Sequence, residues 1–123
     1  MLRYRLSAPA QQDIIEILAY TTQHFGEAAR RRYETLLVKA FQDVAVDPHL
    51  RGSRLRPDIG VGVLTYHLRH TREHARSSLR GVRSPRHFLL YRVISAELVG
   101  IGRILHDAMD VERHLPAEYG EEE

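Results

Sequence analysis

The chain has 123 residues and no cysteine, so it is long enough for one domain with a modest core but offers no disulfide, no cysteine-based metal site and no thiol nucleophile. Its 18 basic and 16 acidic side chains leave a formal net charge of +2. No apolar run approaches the roughly 20 residues of a membrane span, and the N-terminal segment lacks the apolar stretch of a signal peptide, so we expect a cytoplasmic protein with no membrane partner.

The first half of the chain predicts a short strand followed by two helices. Residues 2–6 alternate apolar and basic side chains, as a half-exposed strand does. Ser7 offers a capping hydroxyl to a helix over residues 8–24, and Gly26 can end that helix before a second one over residues 27–46. Both helices carry an apolar stripe: Ile14, Ile17, Leu18, Thr21 and Phe25 in the first, and Tyr33, Leu36, Leu37, Ala40, Phe41 and Val44 in the second.

Two apolar runs beginning at His87 predict a β-hairpin. Only Ser95 to Glu97 separates them, and a polar break that short joins neighbouring antiparallel strands. Both faces of the first run are apolar, so we expect a central strand that is covered on both sides.

The other segments of the second half are more polar. Residues 51–62 are rich in glycine and predict a loop, whereas the alternation over residues 63–70 predicts a half-buried strand. The basic stretch 71–85 is typical of an insertion loop. A helix over residues 107–115 and an acidic, flexible tail over residues 117–123 are expected to complete the chain.

This order of elements predicts an α+β fold. An N-terminal strand, a helical hairpin packed on a small, mainly antiparallel sheet, and a short C-terminal helix form a single domain over residues 1–116. Two helices can cover only one face of the sheet, so the other face presents an apolar patch rimmed by arginines, which usually marks a binding site. That face is predicted to carry His67, Arg69, Phe88, Leu90, Arg92 and Arg103. The core side is predicted to receive Tyr20, Tyr33, Tyr66 and Tyr91.

Charge is unevenly distributed along the chain. Ten arginines face only two acids between residues 51 and 92, whereas residues 107–123 carry seven acids and one arginine. Arginine presents a planar fork of donors that suits carboxylates and phosphates, so the basic region fits an acidic or nucleic-acid partner. A coding bias toward arginine would explain why Lys39 is the only lysine, but it does not explain the clustering.

Four motifs resemble, in order, the ParE branch of the RelE/ParE superfamily of bacterial type II toxins. They are Y-x-L-S-x-x-A before the first helix, H-F-G at its end, L-L-Y-R-V in the hairpin and G-R-I-L-H-D-x-M-D near the C-terminus. The resemblance implies the fold predicted above and a co-expressed antitoxin that wraps an otherwise disordered segment around the toxin. ParE-type members are known as inhibitors of DNA gyrase, whereas RelE-type members cut messenger RNA on the ribosome.

Two sets of contact residues follow from this reading. The open face is expected to bind the antitoxin, through a partner segment that combines acidic residues with apolar anchors. Its contacts are His67, Arg69, Phe88, Leu90 and Arg92. The resemblance places contacts with DNA gyrase on the last strand and the C-terminal helix, at Arg103, Met109, Asp110 and Leu115.

Two alternatives remain open from the sequence. A ribosome-dependent endoribonuclease needs a base, a cation and an acid, and Arg69, Arg103 and His106 could form a minimal phosphate site. RelE-like nucleases have an arginine where this chain has Phe88, which favours a toxin that is not an enzyme. A degenerate member would only bind its antitoxin. Arg103 could also serve a purely structural role, as the ion-pair partner of Asp107 or Asp110.

We expect neither a cofactor nor a metal ion. His67, His70 and His74 lie close together in the sequence. On a strand, however, His67 and His70 point to opposite faces, and no acid or cysteine completes a ligand set.

Overall fold

A computed structural model of the chain describes residues 3–74 and 84–108. The elements, in chain order, are β1 (Arg3–Leu6), α1 (Ala8–Phe25), α2 (Glu27–Val46), β2 (Ser53–Leu55), β3 (Leu64–His67), α3 (Leu68–His74), β4 (His87–Ser95) and β5 (Leu98–His106). This is the predicted α+β arrangement of a strand, a helical hairpin and a sheet.

The described strands form one sheet in the order β1-β5-β4-β3-β2. The β4–β5 hairpin turns at residues 96 and 97, as predicted, and β4 is central. All neighbouring strands are antiparallel except β1, which runs parallel to β5 with Tyr4 opposite Val99. The β4–β5 register shifts between Leu90, which is opposite Arg103, and Tyr91, which is opposite Ile101. This β-bulge changes the direction of the side chains in the second half of β5.

The helical hairpin covers one face of this sheet. Ser7 caps α1, because its Oγ accepts the backbone N–H of Ala10 at 3.0 Å, and the same hydroxyl donates to the carbonyl of Gly102 at 2.7 Å. Gly26 has a φ of 94° between the two helices, a conformation that side-chain-bearing residues rarely adopt. The core lies between the hairpin and the sheet and includes Ala10, Leu36, Leu37, Ala40, Phe41, Val44, Leu64, Tyr66, Leu89, Tyr91, Val99, Ile101 and Ile104.

The C-terminal end of α1 departs from the predicted burial. Phe25 is 70% exposed, although it belongs to the predicted apolar stripe of the helix, and Tyr20 is 57% exposed, although it was predicted to face the core. The prediction was wrong for these two positions, since both line a groove at the end of the helical hairpin instead of the core. Tyr66 and Tyr91 are buried, as predicted.

The strand predicted over residues 63–70 is shorter and continues as a helix. β3 ends at His67, and α3 follows directly. Thr71 explains this change, because its buried hydroxyl donates to Asp43 of α2 at 2.8 Å and accepts the hydroxyl of Tyr66 at 2.8 Å. These contacts hold the chain that follows β3 against α2. As a result, the first four residues of the predicted insertion loop, 71–74, are helical.

The predicted loop over residues 51–62 contains an edge strand, β2, which pairs with β3. Gly52, which directly precedes β2, allows the chain to pass close to His70. Its φ is 101°, and a Cβ added there would lie 2.6 Å from the ring of His70. Any other residue would therefore combine backbone strain with a steric clash.

Several expectations fall on residues outside the described ranges. These are the second part of the insertion loop (75–83), most of the predicted C-terminal helix (109–115) and the acidic tail (117–123). Within residues 3–74 and 84–108, no helix is both long enough and apolar enough to cross a membrane.

Candidate binding grooves on the two sides of the sheet

The face of the sheet opposite the helical hairpin carries a basic groove of about 400 Å³, called here the sheet-face groove. Thr65, His67 and Phe88 reach it because they alternate with core residues along β3 and β4. Arginines from β2, from the residue after it and from the first turn of α3 rim it. Its lining residues are Gly52, Ser53, Arg54, Arg56, Thr65, His67, Arg69, His70, Phe88 and Asp107.

Asp107 joins the ends of three strands beside this groove. The backbone N–H of Arg69 donates to Nδ1 of His67, so the ring carries its proton on Nε2 and donates it to Asp107 at 3.1 Å. Arg86 contacts the same carboxylate at 3.0 Å, and Nδ1 of His106 lies 3.6 Å away. Hydrogen bonds from Arg86 and then from His67 lower the pKa of Asp107 to about 2, so it is ionised at neutral pH.

Arg103 forms the most enclosed ion pair among the described residues. Its guanidinium donates through Nε at 2.7 Å and through Nη2 at 2.8 Å to the two oxygens of Asp13 on α1. Asp13 also accepts the backbone N–H of Ile104 at 2.9 Å. The suggested partners of Arg103, Asp107 and Asp110, are thus corrected to a residue 90 positions away.

A second groove, of about 610 Å³, lies where the helical hairpin meets the start of β4 and the end of β5. We call it the hairpin groove. Tyr33 of α2 lies 2.7 Å from Nδ1 of His87, and the rings of His87 and His106 meet edge to face with centroids 5.4 Å apart. Its lining residues are Tyr20, Thr21, Phe25, Ala29, Arg32, Tyr33, Ser84, Arg86, His87 and His106.

Burial sets the protonation of the two groups at the base of the hairpin groove. Desolvation raises the pKa of Tyr33 well above its usual value, so its hydroxyl remains protonated. Desolvation, followed by the neighbouring charge of His106, lowers the pKa of His87 to about 4. Both side chains were missed in the sequence, because Tyr33 fits a core stripe and His87 lies in an apolar strand.

The structure brings only part of the predicted antitoxin-binding set together. His67, Arg69 and Phe88 meet in the sheet-face groove. Leu90 lies on the same face, opposite Thr65, but it is 1% exposed and therefore does not belong to an exposed patch in this structure. Arg92 donates to the carbonyl of Val61, away from the other three.

The residues of the nuclease alternative are dispersed. Arg69 lines the sheet-face groove, His106 lines the hairpin groove, and Arg103 is engaged by Asp13. Of the residues predicted to contact the target, Met109, Asp110 and Leu115 lie outside the described ranges. Within those ranges no group of three histidine or acidic side chains is arranged so that it could hold a metal ion.

The buried His87 predicts a pH-dependent stability. Its folded pKa is about 4 against an ordinary value of 6.5, so the unfolded chain binds the proton first as the pH falls. The contribution of His87 to the free energy of unfolding is complete above pH 6.5 and decreases as the pH falls towards 4. One pKa unit corresponds to roughly 1.4 kcal/mol, and because His87 is only partly buried we expect a total decrease of about 2 kcal/mol. Urea unfolding at pH 7.0, 5.5 and 4.5 measures it.

A matched pair of variants isolates the His87 contribution. His87→Gln should reduce the pH dependence over this range, to which the lowered pKa of His67 also contributes, and His49→Gln, at an exposed position, is the control for the substitution itself. Equal stability of the unmodified protein at pH 7.0 and 4.5 would contradict the assignment.

Comparison with known proteins gives one family. A family model described as the ParE toxin of the type II toxin–antitoxin system parDE matches residues 4–111, which is most of the chain. No curated protein matches the chain significantly.

Proposed function

Because the chain belongs to the ParE family of toxins from type II toxin–antitoxin systems, we propose that it inhibits DNA gyrase by protein–protein contact. Family membership makes it the toxin of such a pair, with a cognate antitoxin as its partner. The identity of the target and the surfaces used for target and antitoxin are the parts that we propose.

The observation that supports contact over RNA cleavage is the position of Arg103. A cation that stabilises a phosphorane must point at the reacting phosphate, but Nε and Nη2 of Arg103 both donate to the carboxylate of Asp13. The side chain of Arg103 is only 18% exposed and that of Asp13 only 9% exposed. An RNA phosphate that accepted these hydrogen bonds would therefore have to displace an enclosed carboxylate. Arg69 and His106, which would have to act with Arg103, line different grooves.

The test of the target is a pair of assays with the purified toxin. We expect inhibition of supercoiling by DNA gyrase at a toxin concentration that leaves ribosome-bound messenger RNA intact. The toxin–antitoxin complex is the control, and it should neither inhibit supercoiling nor cleave messenger RNA. Cleavage of messenger RNA without any effect on supercoiling would establish the ribonuclease alternative, and inactivity in both assays with retained antitoxin binding would identify a degenerate toxin.

We further propose that the antitoxin binds at the sheet-face groove. Arg54 and Arg69 give the groove a positive rim, and Phe88 offers an apolar surface. Arg56 also lines the groove, but its guanidinium is paired with Asp58 at 2.7 Å. This composition is complementary to a partner segment with acidic residues beside apolar anchors. Asp107 does not reverse the sign of the site, because Arg86 and His67 already hold its carboxylate.

Reversing two charges of the groove should weaken the antitoxin complex. We expect Arg54→Glu combined with Arg69→Glu to raise the dissociation constant roughly 100-fold or more, because two attractive charge contacts become repulsive. Isothermal titration calorimetry with the cognate antitoxin measures the change.

The control for this variant reverses two exposed arginines elsewhere, Arg3 and Arg31. It makes the same change in net charge outside the groove, so the dissociation constant should change by less than about threefold, as expected for long-range screened charges. An equal loss of affinity in both double variants would place the antitoxin on another surface.

A further inference from the structure

The hairpin groove is a site rich in hydrogen-bond donors. Two of its ten lining residues are arginines and two are histidines, and none is acidic. Arg32 is exposed and forms no ion pair with another described residue. The carboxylate of Asp107 lies 3.0 Å from Arg86 and 3.6 Å from Nδ1 of His106, and it is held by hydrogen bonds from Arg86 and His67. Glu16 is a second carboxylate in the same part of the molecule. It lines a smaller recess that shares Tyr20, His87 and His106 with the groove.

The hydrogen bonds behind the groove determine which nitrogen each histidine can offer to a ligand. The backbone N–H of Arg86 contacts the oxygen of Tyr33, so the hydroxyl proton of Tyr33 is donated to Nδ1 of His87. The backbone N–H of Ala108 donates to Nδ1 of His106 at 3.1 Å. In each neutral ring the proton is therefore on Nε2. His87 and His106 both have an N–H donor left for a ligand, without needing to be charged.

Aromatic surface lies beside these donors. Phe25 is 70% exposed and Tyr20 is 57% exposed, although large apolar side chains are normally buried. Tyr20 is held in place by the ring of His24, which stacks on it with centroids 3.9 Å apart. A rigid, exposed aromatic ring next to guanidinium and imidazole donors is the combination that binds a nucleotide, because the base stacks while the phosphate accepts hydrogen bonds.

We propose that the hairpin groove binds a nucleotide, either free or as part of a single-stranded nucleic acid. The phosphate would accept hydrogen bonds from Arg32, His87 and His106, and the base would stack on Phe25 or Tyr20. The groove volume of about 610 Å³ lies within the range of roughly 300–1,000 Å³ of small-ligand sites. An acidic peptide would satisfy the same donors, but it would leave the two aromatic rings without a planar partner. This proposal is independent of DNA gyrase being the target.

Direct binding to the full-length toxin tests the proposal, with adenosine monophosphate, adenosine, inorganic phosphate and hexadeoxyadenylate as probes. We expect adenosine monophosphate to bind at least about 10-fold more tightly than adenosine or phosphate, because only it combines stacking with charge-assisted hydrogen bonds. Binding is measured by calorimetry, and nitrogen-15 NMR follows the Nε2 resonances of His87 and His106. Tighter binding of the oligonucleotide than of the mononucleotide indicates a strand as the ligand, and equal binding indicates a free nucleotide.

Two neighbouring arginines on α2 provide matched variants. Arg32→Ala should weaken nucleotide binding about 10-fold, the loss expected for one charge-assisted hydrogen bond. Arg31→Ala removes the same charge outside the groove and should change affinity by less than about twofold. Phe25→Ala should weaken the binding of adenosine monophosphate but not the binding of phosphate. Both replaced side chains, Arg32 and Phe25, are exposed, and far-ultraviolet circular dichroism confirms that the variants fold.

Three results would overturn the proposal. The first is the absence of saturable binding of both nucleotide probes up to about 10 mM, a concentration that fills even a weak site with a dissociation constant of about 1 mM. The second is an equal loss of affinity in Arg31→Ala and Arg32→Ala. The third is tighter binding of a glutamate-rich peptide than of hexadeoxyadenylate. The last result would assign the groove to an acidic protein partner.

Discussion

Replacing Asp13 with alanine is expected to lower the free energy of unfolding by about 3–5 kcal/mol, the usual cost of removing one partner from a buried ion pair. The guanidinium of Arg103 would lose both of its hydrogen bonds to the carboxylate, and the backbone N–H of Ile104 would lose its acceptor. The connection between α1 and the bulged part of β5 depends on these bonds. Urea unfolding followed by circular dichroism at pH 7 measures the loss.

Two further variants separate the ion pair from helix effects. Glu16→Ala changes an exposed acid one turn along α1 and should cost less than about 0.5 kcal/mol, as surface substitutions usually do. Asp13→Ala combined with Arg103→Leu should recover part of the loss, because no unpaired charge remains in the enclosed site. A loss below about 1 kcal/mol in the single variant would show that the pair contributes little to stability.

Removing residues 109–123 is expected to abolish growth arrest while leaving a folded protein that binds the antitoxin. The deletion spares every described strand and helix and removes three of the four proposed contacts with the target, Met109, Asp110 and Leu115. A few central contacts usually carry most of the binding energy of an interface. The deletion must begin after Ala108, because Asp107 is held by His67 and Arg86 and its loss would disturb the sheet.

A shorter deletion is the control for this experiment. Removing only residues 117–123 takes away the acidic tail and leaves the proposed contacts, so growth arrest should persist. Induction of each variant without antitoxin measures toxicity, and a pull-down with the antitoxin confirms folding. Full toxicity after removal of residues 109–123 would exclude the C-terminal segment as the target-binding surface.

Local patterns in the sequence were sufficient to predict the two long helices and the β4–β5 hairpin. Ser7, Gly26 and the break at residues 96–97 act on their immediate neighbours, so a short window of sequence contains the relevant information. α3 and β2 depend on distant partners. The buried Thr71–Asp43 hydrogen bond and the close packing of His70 on Gly52 do not leave a periodic pattern.

The candidate sites were harder to predict than the fold for the same reason. Helical periodicity predicts the face of α1 on which Phe25 lies, but it does not predict whether another element covers that face. At the end of α1 the side chain lines a groove and stays exposed. The sequence predicts a role for Arg103, yet its partner Asp13 lies 90 positions away, and no local pattern links the two residues. Tyr33 and His87 share a hydrogen bond across 54 positions, so neither could be identified as part of a site from local sequence.

The parallel pairing of β1 with β5 has a consequence for how the toxin is made. Arg3 pairs with Leu98, 95 positions later, so β1 has no strand partner until almost the whole described chain has left the ribosome. Closing a loop of that length is entropically costly and slow compared with forming a helical hairpin. A nascent chain that stops before β5 therefore lacks both the pairing of β1 and the Asp13–Arg103 ion pair, so translation interrupted at that point does not release the complete toxin fold.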